Sequence, residues 1–189
     1  MLRDLILKNR SYRRFHQHEM IGEETLRELV DLARLSPSAK NMQPLKFMLS
    51  CDSAKNSVVF RHLIWAAYLK DWSGPDKDEQ PTGYIIILGD TLISTAFGCD
   101  QGIAAQSIML GAVEKGFGGC IIASIKREGL RNDLKIADHL EILLVLALGK
   151  PKETVIIENL GEDGDIKYWR DEKEQHHVPK RSLNELIVN

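Results

Sequence analysis

Hydrophobic and polar positions along the chain follow two periods, one helical and one strand-like. Residues 2–9 predict a short helix, and residues 23–35 repeat apolar positions every three or four residues, which is typical of an amphipathic helix. Pro37 ends this second helix, because the residue before a proline is disfavoured in the α region. Residues 62–72 and 128–134 also predict helices.

Four stretches predict strands, because they are short and largely apolar and end at turn residues. They are residues 45–51, 84–88, 120–125 and 141–148. The segment 74–83 contains two prolines, two glycines and four charges. We expect an exposed loop there.

Residues 100–115 predict a helix that is apolar on nearly every side. Such a helix must be buried on most sides, either in the core or at a subunit contact. After Pro151 the composition turns polar, and this tail is too short to form a second domain. The order of helices and strands therefore predicts one domain, residues 1–189, of the α+β class (mixed α/β) with four central strands.

Composition narrows the class of protein. Of the 189 residues, 43% are hydrophobic and 28% are charged, which is ordinary globular usage, and the formal net charge of −2 argues against a dedicated nucleic-acid binder. No apolar run approaches the ~20 residues that span a bilayer, and residues 1–15 lack the apolar stretch of a secretory signal. We therefore expect a cytoplasmic protein with no membrane partner.

The cysteines and the adjacent histidines are poor candidates for a metal site. Cys51, Cys99 and Cys120 are widely spaced without a CxxC pair, so we expect small buried side chains rather than a disulfide framework. His176 and His177 would point to opposite sides of an extended chain. That placement favours a role at the surface, and no metal site is predicted.

Positive charge is concentrated near the N-terminus. Residues 1–15 carry five basic side chains and one carboxylate, a local charge of +4. Arg10, Ser11 and Arg13 could bind phosphate oxygens together, because guanidinium groups form paired hydrogen bonds with such oxygens. The alternative is a solvated basic end without a ligand.

A second candidate is the loop 36–44, with the sequence Ser-Pro-Ser-Ala-Lys-Asn-Met-Gln-Pro. Its small residues allow the backbone to approach a flat ring, and Asn41 and Gln43 offer donors and acceptors to the edge of a heterocycle. The alternative is an ordinary loop after a helix. The glycines of residues 116–119 follow a helix and lack the lysine of a P-loop, so they predict close backbone packing near a ligand and not a nucleotide motif.

Taken in order, these segments resemble the FMN-dependent nitroreductase family. The resemblance rests on Arg10-Ser11-Tyr12-Arg13-Arg14-Phe15, residues 36–47, the helix 100–115 with residues 116–119, Gly149-Lys150-Pro151, and Val178-Pro179-Lys180-Arg181-Ser182-Leu183. It implies a central mixed sheet of four or five strands flanked by helices. It also implies a homodimer with two FMN sites at its interface and a C-terminal arm, from about residue 152, that crosses to the partner subunit.

The resemblance further implies a flavin oxidoreductase. NADH or NADPH would reduce FMN and leave, and a nitroaromatic, quinone or flavin-type acceptor would then take its place in a ping-pong mechanism. Because the cofactor carries the hydride chemistry, we name no catalytic residue. Two alternatives stay open: a specialised flavin enzyme of the same fold, such as a dehalogenase or flavin-degrading enzyme, and a non-enzymatic anion- or nucleic-acid-binding module.

The same resemblance assigns cofactor-binding residues. Arg10 and Ser11 would bind phosphate and ribityl oxygens, and Arg13 would place a cation near the pyrimidine edge of the flavin, where reduction adds negative charge. The residues that would line the ring and its polar edge are Pro37, Ser38, Ala39, Asn41 and Gln43. Those that would supply backbone groups near the reactive nitrogen are Gly119, Ile122, Ala123 and Ser124. Arg181, with Lys180, would close on the phosphate from the other end of the chain.

Overall fold

The computed structural model describes residues 1–69 and 71–188. The first half of the chain contains α1 (Leu2–Lys8), α2 (Glu23–Arg34), a 3-10 turn (Ala39–Asn41), β1 (Leu45–Ser50), α3 (Ser53–Phe60) and β2 (Gly83–Asp90). The second half contains α4 (Asp100–Glu114), β3 (Gly118–Ile122), α5 (Arg127–Leu134), β4 (Leu140–Gly149), β5 (Val155–Asn159), β6 (Trp169–Arg170), β7 (His176–Lys180) and α6 (Leu183–Leu186).

The central sheet has four strands in the order β1-β2-β4-β3. All neighbouring strands pair antiparallel, and an isolated parallel bridge from Ser11 to Gly119 extends the β3 edge. Every residue of β2 is buried, because the sheet is covered on both faces. The predicted α+β class and the four central strands are confirmed.

Two hydrophobic cores lie on opposite faces of this sheet. Alternate residues of β2 divide between them, since successive side chains of a strand point to opposite faces. Tyr84 and Ile86 pack toward α3 and α5, whereas Ile85 and Ile87 pack toward α2 and α4. Helices α2 and α4 approach closely at Gly111, where an added Cβ would lie 2.2 Å from the Leu32 side chain.

Helix α4 begins where the sequence predicts and ends one residue earlier. Its inner side is buried against α2 and the sheet, but Ile103 is 37% exposed. This outer side borders a shallow groove that also contains Gln106 and Leu144. The core packing predicted for this helix is confirmed, and its predicted role in a subunit contact stays a prediction.

The predicted helix 62–72 is wrong. The helix of this region is α3, which starts at Ser53. Asp52 caps it, because its side chain accepts a hydrogen bond from the Lys55 backbone N–H at 3.0 Å. Residues 62–64 instead pair with the chain after β3: Leu63 forms a bridge with Ile125. The apolar spacing matched a helix, but this edge segment buries Leu63 and Trp65 and leaves Ile64 exposed, which is not a helical pattern. Lys70, also within that prediction, lies outside the described residues.

The predicted loop 74–83 is a loop as far as Thr82, since β2 begins at Gly83, and it is not exposed throughout. Glu79 and Thr82 are buried. The Glu79 carboxylate is bound by Arg14 Nε at 2.5 Å and by Lys152 Nζ at 2.8 Å. A charged group tolerates such burial only when it is paired.

The polar tail forms a second, three-stranded sheet that the sequence did not reveal. Its order is β5-β7-β6; β7 pairs parallel with β5 and antiparallel with β6. Its strands are short; β5 begins with Val155, Ile156 and Ile157, whereas β6 and β7 are mainly polar and carry no clear two-residue period. That residues 1–189 form one domain with a C-terminal arm stays a prediction.

Two expectations about cysteines and membranes can be compared with the structure. Cys120 is buried and Cys51 is partly buried, but Cys99 is exposed, because it precedes α4 on the outer side; the prediction of a buried side chain is wrong there. No helix in the described ranges is long and apolar enough to cross a membrane. No cluster of three or more potential metal ligands occurs among the same residues.

Candidate active site

The N-terminal segment lies along the edge of β3 and brings two predicted site residues together. Ser11 bridges to Gly119, and the Tyr12 backbone N–H donates to the Gly119 carbonyl at 2.9 Å. Glycine is needed beside this contact, since a Cβ on Gly118 would lie 2.7 Å from the Tyr12 ring. The close packing predicted for the glycine-rich segment is therefore present.

Arg10 presents an unused hydrogen-bond donor. Its Nη2 donates to the Ile6 carbonyl at 2.8 Å, at the end of α1, while its Nε is buried and has no partner among the described residues. A buried donor without an acceptor is costly. An anion oxygen at this position would satisfy it.

The loop 36–43 carries unusual backbone conformations. Lys40, Asn41 and Gln43 have φ angles of +51°, +55° and +52°, in the left-handed region that residues with a Cβ avoid. Such conformations persist only where surrounding contacts impose them, and they cluster at ligand-binding sites.

Asp100 imposes the shape of this loop. Its carboxylate accepts from Ser38 Oγ at 2.6 Å and from the Ala39 backbone N–H at 3.0 Å, and Ser38 Oγ accepts from the Gln43 backbone N–H at 2.9 Å. Asp100 is only 5% exposed and sits in the first turn of α4, where the helix dipole favours a carboxylate. Sequence reasoning missed this residue, because an acid in the first turn of a helix is common.

A cavity of about 250 Å³ lies beside the loop, between α2, β1 and the start of α4. Pro37, Ser38 and Gln43 line it, together with Arg34 and Lys46. Two cations and three of the predicted ring-lining residues thus share one concave surface. Ala39 and Asn41 are exposed beside it.

The chain after β3 leaves backbone donors free. Ile122 is buried in the core, whereas Ala123 and Ser124 are exposed. Their carbonyls accept from Arg127 Nη2 at 3.1 Å and from the Ile64 backbone N–H at 3.0 Å. Their own N–H groups make no hydrogen bond within the described part of the chain.

Arg13 faces the C-terminal sheet. It is 8% exposed; its Nη1 lies 3.2 Å from His176 Nε2, and its Cζ lies 4.8 Å from the centre of the Tyr168 ring. Its backbone N–H donates to Glu153. The predicted contact of Arg13 with a flavin stays a prediction.

Glu153 is a second residue that sequence reasoning missed. Its side chain is 2% exposed and accepts from the backbone N–H groups of Arg13 and Arg14 and from Arg170 Nη2 at 3.1 Å. The Arg170 guanidinium also lies over the Trp72 ring, 4.4 Å from its centre. Nothing in the polar run after Pro151 distinguished this glutamate from its neighbours.

The surface role expected for the two histidines is wrong. His176 is 1% exposed, and burial together with Arg13 and Arg170 lowers its pKa to about 4. Burial also acts to lower the pKa of His177, but hydrogen bonds to Glu158 and Asp171 raise it above the usual value. The two side chains do point to different surroundings, as strand geometry requires.

Lys180 and Arg181 lie at the end of β7 with exposed side chains. Arg181 Nη1 is 3.6 Å from Glu185. No hydrogen bond or ion pair of the described residues joins these cations, the loop 36–43 and Arg10 to one another. The predicted cofactor residues thus form three separate groups within one chain.

The α+β fold thus combines an unpartnered Arg10 donor beside the β3 edge with a loop that Asp100 of α4 holds in place. A sequence model of the nitroreductase family matches residues 6–83 and 96–150. The chain therefore belongs to the nitroreductase family.

Solved structures show the same fold. An FMN-dependent nitroreductase from Clostridium difficile R20291 is 23% identical, with 79% of this chain and 87% of that chain covered and a TM-score of 0.64. A Parabacteroides distasonis protein named as an NADH dehydrogenase/NAD(P)H nitroreductase is 24% identical, with coverage of 80% and 87% and a TM-score of 0.65. A Streptococcus pneumoniae TIGR4 family protein is 17% identical, with coverage of 88% and 99% and a TM-score of 0.69.

Proposed function

We propose that this chain is an FMN-dependent oxidoreductase that uses NADH or NADPH to reduce nitroaromatic, quinone or flavin-type acceptors. Family membership supports the class of enzyme, and the printed names of two structural relatives include FMN and NAD(P)H. The observation that carries the proposal is the buried, unpartnered Arg10 Nε beside Ser11 and Gly119.

The residues present fit FMN. Arg10 and Ser11 would bind the phosphate and ribityl oxygens, and Lys180 and Arg181 supply two further cations at the end of β7. Guanidinium groups match phosphate oxygens well, because they form two parallel hydrogen bonds. The unpartnered Arg10 donor would gain an acceptor.

The loop 36–43 would hold the flavin ring. Asn41 and Gln43 would lie at a polar edge of the ring, and the small residues Pro37 and Ala39 would lie at one face. The free N–H groups of Ala123 and Ser124 would donate to the ring and stabilise negative charge when it is reduced. Bound FMN would supply the redox chemistry itself, by accepting a hydride from the nicotinamide and passing electrons to a second substrate in ping-pong order.

A homodimer would complete the site. No hydrogen bond or ion pair of the described residues joins the loop 36–43 to Arg10 within one chain, and we propose that the loop of one protomer faces Arg10 of its partner. The partly exposed Ile103, Ile121 and Leu144 give the outer side of α4 and the neighbouring strands an apolar surface for this contact. We also propose that the protein acts in the cytoplasm.

A nucleic-acid-binding role has less support. Arg14 of the basic N-terminal segment is paired with Glu79 and Glu174, and Arg13 is buried against His176. These two charges are therefore not available to phosphates on an open surface. Binding of this kind would also show a steep salt dependence.

The test is the visible absorption spectrum of the purified protein, before and after reconstitution with FMN. We expect a yellow protein that bleaches when NADH or NADPH is added without oxygen and regains colour when a quinone follows. Colourless protein that FMN cannot reconstitute would contradict the proposal. Bleaching too slow for turnover would instead favour a specialised flavin enzyme of the same fold.

A further inference from the structure

We propose that His176 is a positioning residue for the phosphate end of the cofactor site. By accepting a hydrogen bond from Arg13, it fixes β7 against the N-terminal segment and so determines where Lys180 and Arg181 lie relative to Arg10 and Ser11. Lys180 and Arg181 are called the C-terminal cation pair below. The inference rests on the proposed function, because it takes the anion at this end to be the FMN phosphate.

The contact itself fixes the direction of the hydrogen bond. Arg13 Nη1 and His176 Nε2 are 3.2 Å apart, and both side chains are buried. A guanidinium only donates, so Nε2 must accept and the ring proton must be on Nδ1. The lowered pKa of His176 agrees with this neutral ring.

Neighbouring groups hold the two side chains in place. The Tyr168 ring lies 5.1 Å from the His176 ring and also stacks against the Arg13 guanidinium. Glu153 binds the Arg13 backbone N–H and pairs with Arg170 of β6 at 3.1 Å. Arg13 is therefore the point where the N-terminal segment, residue 153 and the C-terminal sheet converge.

β7 connects His176, which is held by Arg13, to the C-terminal cation pair. The strand begins at His176 and ends at Lys180, a span of about 13 Å at ~3.3 Å per residue, and Arg181 follows directly. Within the central strand of a three-stranded sheet, a shift of one residue would move Lys180 by ~3.3 Å and turn its side chain to the other face. The anchor at Arg13 opposes such a shift.

The test measures FMN affinity by flavin fluorescence in purified protein, for His176→Asn and His176→Gln, alone and combined with Arg181→Ala. The glutamine amide oxygen can occupy the place of Nε2, whereas the shorter asparagine cannot reach Arg13. His177→Gln, in the same strand but outside this contact, is the control. Circular dichroism and thermal unfolding verify that each variant is folded.

We expect Arg181→Ala to weaken FMN binding by about tenfold to hundredfold, the ratio for losing a hydrogen bond between charged groups. His176→Asn should weaken it about tenfold in the wild-type background but clearly less in the Arg181→Ala background, because one of the two cations that His176 positions is then already absent. His176→Gln and His177→Gln should bind FMN like the wild type.

The inference is overturned if His176→Asn weakens binding equally in both backgrounds, since that is the behaviour of a general structural residue. It is also overturned if either His176→Asn or Arg181→Ala leaves FMN affinity unchanged. If His176→Asn does not fold, His176→Phe, which keeps an apolar ring without the acceptor, replaces it in the same cycle. A wild-type protein that does not bind FMN would contradict the proposed function and not this coupling alone.

Discussion

At the scale of residues, buried carboxylates organise the candidate site. Asp100 shapes the loop 36–43, and Glu153 joins the N-terminal segment to the C-terminal sheet. Neither is expected to touch a substrate. Asp100 replaces lost hydration with a hydroxyl and a backbone donor, and Glu153 with backbone donors and Arg170; a buried charge is tolerated under this condition.

Asp100→Ala should loosen the loop. Ser38 Oγ and the Ala39 N–H would lose their acceptor, at a cost of about 1.5–3 kcal/mol, and the left-handed residues would relax. We expect lower stability in urea unfolding and weaker FMN binding. Asp31→Asn, which removes an exposed pair with Arg34, should change both by little. Unchanged FMN affinity in Asp100→Ala would contradict the role of the loop.

The two adjacent histidines should give opposite pH dependences. The folded pKa of His176 is about 4, below its ordinary value of 6.5. The unfolded chain therefore binds more protons between these values, and the free energy of unfolding falls as pH falls through this window. The pKa of His177 is raised, so its contribution is present below 6.5 and is lost as pH rises through the folded value.

Urea unfolding at a series of pH values would measure both effects. Between pH 6.5 and 4, the free energy of unfolding of His176→Gln should change less with pH than that of the wild type. Above pH 6.5, the free energy of unfolding of His177→Gln should decline less than that of the wild type. Each difference from the wild type reports the replaced histidine together with the groups paired with it, which for His177 are Glu158 and Asp171. Identical slopes in the wild type and His176→Gln would show that His176 is not held neutral.

At the scale of elements, sequence predicts what depends on local pattern. β2 and α4 were predictable because an apolar run and a long apolar helix allow few other structures. α3 was not, since Ser53–Phe60 has weak periodicity and its main signal is the capping Asp52. The helix predicted for residues 62–72 is wrong because Leu63, Ala66 and Ala67 have helical spacing by sequence, whereas the structure buries Leu63 and Trp65.

The same distinction separates the predictable and unpredictable parts of the site. Arg10, Ser11 and the loop 36–43 can be recognised as short motifs. In the structure Ser11 forms a β-bridge with Gly119. Asp100, Glu153 and His176 do not, because their roles depend on partners far away in sequence, such as Arg13 for His176. Which side chain occupies a buried polar position is decided by tertiary packing.

Asp52→Ala should destabilise α3. Asp52 accepts from the Lys55 N–H at the first turn, and loss of such a cap costs about 0.5–2 kcal/mol. Asp52→Asn keeps an acceptor and should remain close to the wild type. Urea unfolding of the three proteins is the measurement; equal stability of Asp52→Ala and the wild type would mean that the cap contributes nothing.

At the scale of the whole molecule, each chain carries two sheets and three separate groups of candidate cofactor residues. The basic side chains are also separated along the chain, since Arg10 lies near one end and Arg181 near the other. Arg13 and Arg14 already contact His176 and Glu79 within the chain. The outer side of α4, where Ile103 is 37% exposed, offers an apolar surface beside these groups. Proteins that expose such surfaces commonly cover them with a partner.

Ile103→Glu should therefore abolish the proposed homodimer and FMN binding together. A buried carboxylate without a partner costs several kcal/mol at an interface, while in a monomer the same side chain would remain solvated and the fold intact. Leu92→Glu, at an exposed position after β2, is the matched control and should stay dimeric and yellow. Light scattering and flavin titration provide the measurements. A monomeric Ile103→Glu protein that binds FMN as tightly as the wild type would show that one chain holds the whole site, and the loop 36–43 would then need another role.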